Sequence, residues 1–196
     1  RTGAGVRTMI SDDVVWLGHI TERYVRLTGD RAILDEPVSF IAGPALEPGQ
    51  HDAFLTPERS DEIAPLYEHC ARALDLAMAR TGEHGLPLIL GGDWNDGMNR
   101  VGEEGRGESV WLGWFLCDTV AAFAPLARAR GDDARADTWQ AHAARVAEAF
   151  LDALLAAYNE KEELAGAEAL RACGDHELGG ARPCHPPLRP TARVGC

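Results

Sequence analysis

Lysine is almost absent from the chain, and this lack excludes one broad class of partner. Lys161 is the only lysine among 196 residues, and 31 acidic residues against 19 lysines and arginines give a net charge of −12. A surface that binds nucleic acid without sequence preference needs clustered Lys and Arg side chains to neutralise phosphates. We therefore expect no nucleic-acid partner.

The chain also lacks any stretch near the ~20 consecutive apolar residues that cross a bilayer, and its start carries no apolar signal segment. We therefore expect no membrane contact by this segment. The five cysteines are an odd number, which suits reduced thiols in a chain with a full core and favours a cytoplasmic location. Residue 1 is Arg rather than Met, so it stays possible that the chain belongs to a longer parent protein anchored at the inner membrane.

Several common catalytic signatures are missing as well. The seven histidines form no His-Glu-x-x-His motif, and Cys173, His176, Cys184 and His185 lie in a stretch without a fold signal. No Gly-x-Ser-x-Gly elbow, phosphate-binding glycine loop or dinucleotide fingerprint occurs. We therefore expect no metal and no bound cofactor, and nucleotide chemistry is unsupported.

Helical periodicity is what the sequence has in abundance. Apolar residues recur at helical spacing in four stretches, namely residues 11–29, 60–82, 108–130 and 133–158. Ser11 and Ser60 are the expected N-caps of the first two helices. Strand signal is almost absent, so the helices are predicted to pack as hairpins in an all-α fold, as part of a helical barrel or toroid.

Three other stretches lack this periodicity. Residues 34–49 contain too many Pro and Gly residues for an element longer than a short turn or strand, and are predicted to form a loop. Residues 85–107 are glycine-dense and acidic, and structured loops of this length are usually functional. Beyond residue 160, Gly, Pro and Arg accumulate. We therefore divide the chain into a helical domain, 1–160, and an irregular tail, 161–196, as in a disordered extension.

The densest cluster of functional side chains lies in the glycine-dense stretch, residues 85–107. Residues 91–100 read Gly-Gly-Asp-Trp-Asn-Asp-Gly-Met-Asn-Arg. Sugar recognition uses this mixture, because an aromatic ring packs on the C–H face of a pyranose while carboxylates and amides pair with hydroxyls. Glycosidic cleavage also needs a carboxylic acid held protonated beside the scissile oxygen, and Asp93 or Asp96 could serve. The alternatives are a calcium-binding loop and an Asx-turn-rich loop without chemistry.

A second candidate lies at the start of the first helix. Arg7 shortly precedes Asp12 and Asp13, and carboxylates at this position favour the positive end of the helix dipole. Helix capping explains the pattern most simply, although a helix start can also present Arg7 and Asp13 to a ligand. Arg106, which lies between two glycines before the third helix, could likewise hold an anion or be a surface charge.

These motifs together resemble glycoside hydrolase family 94, whose members include cellobiose and chitobiose phosphorylases. Within the family the chain is most similar to the phosphorylase-like domain of cyclic β-1,2-glucan synthases. The resemblance extends over about residues 1–158. It rests on four segments: residues 5–17 (Gly-Val-Arg-Thr-Met-Ile-Ser-Asp-Asp-Val-Val-Trp-Leu), 28–38 (Thr-Gly-Asp-Arg-Ala-Ile-Leu-Asp-Glu-Pro-Val), 84–102 (with Gly-Gly-Asp-Trp-Asn-Asp-Gly) and 105–116 (Gly-Arg-Gly-Glu-Ser-Val-Trp-Leu-Gly-Trp-Phe-Leu).

The resemblance implies an (α/α)6 barrel whose loops form a glucose-binding cleft, of which residues 1–160 are a partial catalytic domain. It implies that Asp96 is the general acid and that the Arg7 and Asp13 side chains contact the donor-site sugar. The substrate-binding residues that it implies are Arg7, Asp12, Asp13, Asp93, Trp94 and Asn95. It also allows a homodimer of the full-length protein, since family members are often dimeric.

The implied reaction is inverting phosphorolysis of a β-1,2-glucan or a cellobiose-like β-glucoside. Inorganic phosphate is the co-substrate and nucleophile, so a single protein acid suffices, and attack from the opposite face yields α-glucose 1-phosphate. Two alternatives remain: an inverting hydrolase in which Asp13 activates water, and an inactive sugar-binding remnant. The phosphate-binding residues of the family belong to a later part of the barrel that nothing after Tyr158 resembles. We therefore expect an incomplete barrel and a tail that is not native to the family.

Overall fold

The computed structural model describes residues 3–177, apart from the side chains of Asp96, Ala153 and residues 162–177. Helices make up most of this part of the chain, which confirms the all-α class. The helices are α1 (Asp13–Thr28), α2 (Leu66–Ala79), α3 (Val110–Ala129) and α4 (Asp133–Glu177). Four short strands accompany them: β1 (Gly5–Thr8), β2 (Pro37–Ala42), β3 (Asp52–Leu55) and β4 (Glu58–Pro65).

The first and third predicted helices are confirmed nearly residue for residue. α1 ends at Gly29, whose left-handed φ of 75° lets its backbone N–H donate to Val25. Ser109 precedes α3 and its side chain accepts a hydrogen bond from the Leu112 N–H. The expected cap of α1 was wrong: Asp12 is the N-cap residue, and the Ser11 hydroxyl instead donates to the Gly92 carbonyl at 3.0 Å.

The second predicted helix begins later than expected. α2 starts at Leu66, because residues 58–65 form β4, which pairs antiparallel with β2 and places Ala64 opposite Val38. β2 lies in the stretch predicted to be a loop, so that prediction was wrong for residues 37–42. A polar start followed by acidic residues resembles a helix N-terminus, but pairing with a strand distant in sequence outweighs that local signal.

The remaining strands hold the N-terminal segment in place. β1 pairs antiparallel with β3, with Arg7 opposite Ala53 and Thr8 opposite Asp52. Across residues 3–177 the strands form only these two separate two-stranded ladders. The strands are few, as the all-α class predicts, and the helices form the core.

The core lies between α1, α2, α3 and the first turns of α4. Leu74 of α2 is fully buried and lies so close to Gly18 of α1 that a β-carbon there would be 3.2 Å from the Leu74 side chain. Trp139 of α4 is also fully buried, with its ring 5.8 Å from that of Phe123. The Trp139 indole N–H donates to Asp75 at 2.7 Å, so its polar group is satisfied.

A polar network fixes the start of α4 on α2. The Arg135 guanidinium donates to Glu68 at 2.7 Å and to Asp75 at 3.0 Å, and the Tyr67 hydroxyl donates to Asp132 at 2.8 Å. Hydrogen bonding to Arg135 lowers the pKa of Glu68 to about 2. The stability that this pair contributes is therefore present above the ordinary pKa of 4.5 and is lost as the pH falls toward 2.

α4 continues well past the predicted end of the fourth helix. It reaches Glu177, so residues 161–177 are helical and the prediction of an irregular tail was wrong for them. This stretch is rich in Glu and Ala, which have high helix propensity even without apolar periodicity. Residues 178–196, which include Cys184 and His185, lie outside the described residues.

The chain separates into two compact units, residues 1–151 and residues 152–196. The first unit contains the two ladders, α1 to α3 and the start of α4. The second unit, in its described part, is the C-terminal portion of α4.

One helix among the described residues is long and apolar enough to cross a membrane by length and composition. It is α3, which has 20 residues and whose apolar residues are interrupted by Asp118 and Arg128. Half of that stretch is buried inside the protein, and core helices commonly pass the same test. Leu116, Val120 and Phe123 of α3 are fully buried, which makes it a core helix of this fold.

The packing of α2 on α1 leads to a stability prediction. Leu74→Ala is expected to lower the free energy of unfolding by about 2–5 kcal/mol, because it leaves a cavity against Gly18. Leu76→Ala, on the exposed side of the same helix, is expected to change it by about 0.5 kcal/mol or less. Urea denaturation followed by circular dichroism measures both. Equal losses in the two variants would contradict this account of the core.

Candidate carbohydrate-active site

The glycine-dense segment is bound to the residues that lead into α1. The Gly91 N–H donates to the Met9 carbonyl at 3.0 Å, and the Ser11 N–H donates to the Gly92 carbonyl at 2.8 Å. The Ser11 hydroxyl donates to the same carbonyl. The two sequence clusters, which are about 80 residues apart, therefore meet at Ser11 and Gly92.

The same segment is also bound to the residues that lead into α3. The Ile89 N–H donates to the Gly107 carbonyl and the Ser109 N–H donates to the Pro87 carbonyl, both at 2.8 Å. These bonds close the segment into a loop whose two ends lie side by side. The predicted functional loop is therefore an ordered structure tied to two core helices.

Close backbone contacts explain why this loop needs glycine. A β-carbon on Gly102 would overlap the carbonyl of Leu90, and one on Gly107 would overlap the carbonyl of Val101. Leu90 itself has a φ of 51°, the one positive value among the non-glycine residues that the structure describes. The backbone is therefore packed too tightly at Gly102 and Gly107 for any side chain.

Asp93 is the most deeply buried of the loop carboxylates whose side chains the structure describes, with 2% of its surface exposed. One oxygen accepts a hydrogen bond from the Ser109 hydroxyl at 2.6 Å, and the other accepts from the Asn95 N–H at 2.9 Å. Both oxygens of Asp93 therefore have donors from within the protein. A buried charge requires such partners to offset its loss of hydration.

Asp96, the residue expected to be the general acid, lies three residues after Asp93. Asp96 begins a short 3₁₀ helix, Asp96–Met98, in which the Met98 N–H donates to the Asn95 carbonyl at 2.9 Å. In the sequence, Asp96 follows the exposed Trp94 by two residues. The Asp96 side chain lies outside the described residues, so its role as acid stays a prediction.

Aromatic rings extend from the loop toward α1. Trp94 is 58% exposed and its ring lies 5.9 Å from that of Trp111, which lies 5.3 Å from Phe115. Phe115 in turn lies 4.6 Å from Trp16, which is 41% exposed. The row reaches the surface at both ends, at Trp94 and at Trp16. The exposed indole of Trp94 offers the apolar face that sugar stacking requires.

The residues at the start of α1 differ in their exposure. Asp13 is exposed and accepts a hydrogen bond from the Thr8 hydroxyl at 2.9 Å. Arg7 is half-buried, and its guanidinium lies 3.7 Å from where a β-carbon on Gly43 would be. Asp12 is 4% exposed and accepts from the Trp16 indole N–H at 3.0 Å. Asp12 therefore orients the last ring of the aromatic row, while Asp13 lies where a ligand has access.

Burial raises the pKa of Asp12, and the hydrogen bond from Trp16 opposes this change. The negative charges of Asp13 and Asp93 raise the pKa of Asp12 further. Acidic groups therefore meet around the junction of the loop with α1, in a partly dehydrated environment where charge is costly.

Sequence reasoning missed one residue that organises this site. Ser109 is 5% exposed, caps α3 and binds Asp93. Its position just before a predicted helix was the available signal, but its contact with a residue 16 positions earlier was not visible. Glu108 beside it fits against Gly82 and accepts a hydrogen bond from the His84 N–H at 2.9 Å.

An acidic, aromatic loop on a helical domain has the mixture of groups that sugar recognition uses. Residues 2–158 match the family described as the glycosyl hydrolase 94 superfamily, catalytic domain, and the chain belongs to that family. The catalytic domains of this family are helical barrels, to which the packed helices of this chain correspond.

The chain is similar to several characterised members. It is 64% identical over 153 residues to the cyclic beta-(1,2)-glucan synthase NdvB of Rhizobium meliloti, covering 78% of this chain and 5% of that protein. It is 34% identical over 163 residues to the solabiose phosphorylase of Paenibacillus borealis, covering 80% of this chain and 19% of that enzyme. It is 31% identical over 145 residues to the N,N'-diacetylchitobiose phosphorylase of Vibrio furnissii, covering 74% and 15%. The chain thus spans less than a fifth of each relative.

The tight backbone of the loop leads to a second prediction. Gly102→Ala is expected to lower the free energy of unfolding by about 1–3 kcal/mol, because the new methyl group would displace the Leu90 carbonyl. Gly5→Ala is a suitable control, since a β-carbon on Gly5 meets no atom within 4 Å. Urea denaturation compares the two variants. Equal stability of both would show that the loop does not pack as described.

The buried Asp12 leads to a prediction on pH. Its pKa lies above the ordinary 3.8 in the folded protein, so the wild type loses stability as the pH rises from 3.8 through the folded pKa. Asp12→Asn keeps an acceptor for Trp16 without the charge, and should therefore be more stable than wild type at neutral pH but not below pH 3.8. Denaturation curves at several pH values test this. A constant difference at every pH would refute it.

Proposed function

We propose that the chain supplies the general acid and the donor-sugar contacts of a catalytic domain that performs inverting phosphorolysis of β-glucosides. The proposed substrates are β-1,2-glucans or cellobiose-like oligosaccharides, and inorganic phosphate is the co-substrate. Supporting this proposal, the chain belongs to glycoside hydrolase family 94, and its relatives are named as a cyclic beta-(1,2)-glucan synthase, a 3-O-beta-D-glucopyranosyl-beta-D-glucuronide phosphorylase and an N,N'-diacetylchitobiose phosphorylase.

One structural observation carries the proposal. The loop presents the exposed Trp94 ring two residues before the Asp96 turn, and the Ser11–Gly92 bonds hold this loop beside the segment that contains Arg7 and Asp13. A sugar that stacks on Trp94 would lie on a loop whose backbone is bonded to the segment preceding α1, where Asp13 is exposed. Such convergence of an aromatic face with a few polar groups is typical of sugar sites.

The proposed chemistry needs one protein acid. Asp96 donates its proton to the glycosidic oxygen as the bond to C1 breaks, and a phosphate oxygen attacks C1 from the opposite face. The products are α-glucose 1-phosphate and a glucan shortened by one unit. Trp94 and Asn95 would bind the donor sugar together with Arg7 and Asp13, while Asp12 and Asp93 are buried and bind groups of the protein.

The competing proposals differ in products. An inverting hydrolase needs a second carboxylate to activate water, and Asp13 is exposed at the start of α1. An inactive sugar-binding protein would need only the aromatic face.

A cytoplasmic location and a homodimer of the full-length protein remain predictions.

The test is release of α-glucose 1-phosphate from β-1,2-glucooligosaccharides with inorganic phosphate, with Asp96→Asn as the paired variant. In a complete catalytic domain of this family that contains these residues and the phosphate-binding part of the barrel, we expect phosphate-dependent release that falls by about 100-fold or more in the variant, since positioned acids contribute 10²–10⁴-fold. Free glucose without phosphate would favour the hydrolase. Sugar binding with no product from the folded chain would favour the binding protein. Circular dichroism shows whether both proteins are folded.

A further inference from the structure

Ser109 joins a core helix to the catalytic loop through two hydrogen bonds at once. Its hydroxyl oxygen accepts from the Leu112 N–H in the first turn of α3 at 3.0 Å, and the same hydroxyl donates to Asp93 at 2.6 Å. Ser109 and Asp93 are 5% and 2% exposed. A short hydrogen bond between a hydroxyl and a carboxylate is among the stronger ones in proteins, and here water has little access to compete with it.

The second oxygen of Asp93 extends this connection to the turn. It accepts from the Asn95 N–H at 2.9 Å, and Asn95 is the residue that immediately precedes the 3₁₀ helix beginning at Asp96. An unbroken path therefore runs from the buried helix α3 through Ser109 and Asp93 to the backbone that carries Asp96. Each link in the path is a hydrogen bond between named atoms.

We propose that Asp93 and Ser109 are positioning residues that fix the backbone of Asp96 relative to α3, rather than contacts for the sugar. The proposal rests on the proposed function, in which Asp96 is the general acid. An acid must lie within hydrogen-bonding distance of the glycosidic oxygen, and a displacement of about 1 Å can cost about 100-fold in rate. Because both oxygens of Asp93 already have donors in the protein, its carboxylate is committed to holding the loop.

Substitutions at Asp93 and Ser109 separate the attachment of the loop from the capping of α3. Asp93→Ala removes the link to the loop but leaves Ser109 able to cap α3, whereas Ser109→Ala removes both. Ser109→Thr keeps the hydroxyl and should restore both bonds. Ser60→Ala is the control, because Ser60 also accepts a backbone hydrogen bond, from Glu62, but lies in β4.

The experiment measures amide hydrogen exchange by NMR together with phosphate-dependent release of α-glucose 1-phosphate. In Asp93→Ala we expect exchange at the Asn95 amide to accelerate by about 10- to 100-fold, while the amides of α1 to α3 stay protected. We expect kcat to fall by about 100-fold with KM changed by about threefold or less. Ser109→Ala should show the same loss, and Ser109→Thr and Ser60→Ala should behave as wild type.

The outcomes separate this inference from the proposed function. Wild-type exchange at Asn95 in Asp93→Ala, or equal acceleration throughout α1 to α3, would overturn the inference. A raised KM with unchanged kcat would also overturn it, because Asp93 would then be a sugar contact. Absence of release from the complete, folded wild-type catalytic domain, by contrast, would overturn the proposed function and leave the exchange result to decide whether Asp93 holds the loop.

Discussion

Main-chain bonding of residues 87–92 to the segments that enter α1 and α3 is the constraint on which the site depends. Because α1 and α3 pack together in the core, their entry segments are fixed, and the loop between them is held at both ends. Gly102 and Gly107 are needed because the returning chain then lies directly against Leu90 and Val101. Core packing thus determines where the loop lies, before any side chain of the site acts.

Two buried carboxylates, Asp12 and Asp93, lie where the loop meets α1, and burying each one costs free energy of hydration. Removing a carboxylate from water is unfavourable unless donors replace its hydration. Asp93 receives donors from Ser109 and from the Asn95 backbone, and Asp12 receives one from Trp16. The raised pKa of Asp12 shows that its donor does not fully offset burial and neighbouring negative charge. Proteins tolerate such local costs mainly where a site needs a defined geometry.

The sequence was sufficient for features set by local pattern. The apolar periodicity and flanking residues of α1 and α3 predicted both helices, and glycine density predicted the loop. Features that depend on distant contacts were missed. Ser60 and the acidic residues after it resemble a helix start, but pairing with β2 makes them strand. The Asp93–Ser109 bond joins residues 16 positions apart, so only the folded chain shows that Asp93 faces inward. No periodicity rule gives that direction in a loop.

The distribution of these carboxylates bears on the choice between phosphorolysis and hydrolysis. A hydrolase of the inverting kind needs a free carboxylate as base in addition to the acid, whereas a phosphorylase brings its nucleophile as substrate. Asp12 and Asp93 are buried and bound to donors within the protein, so neither is free to activate water. Among the described carboxylates at this junction, only Asp13 is exposed, and it already accepts a hydrogen bond from Thr8. Among the described residues of this junction, Asp13 is therefore the carboxylate that a hydrolytic mechanism would have to use as its base.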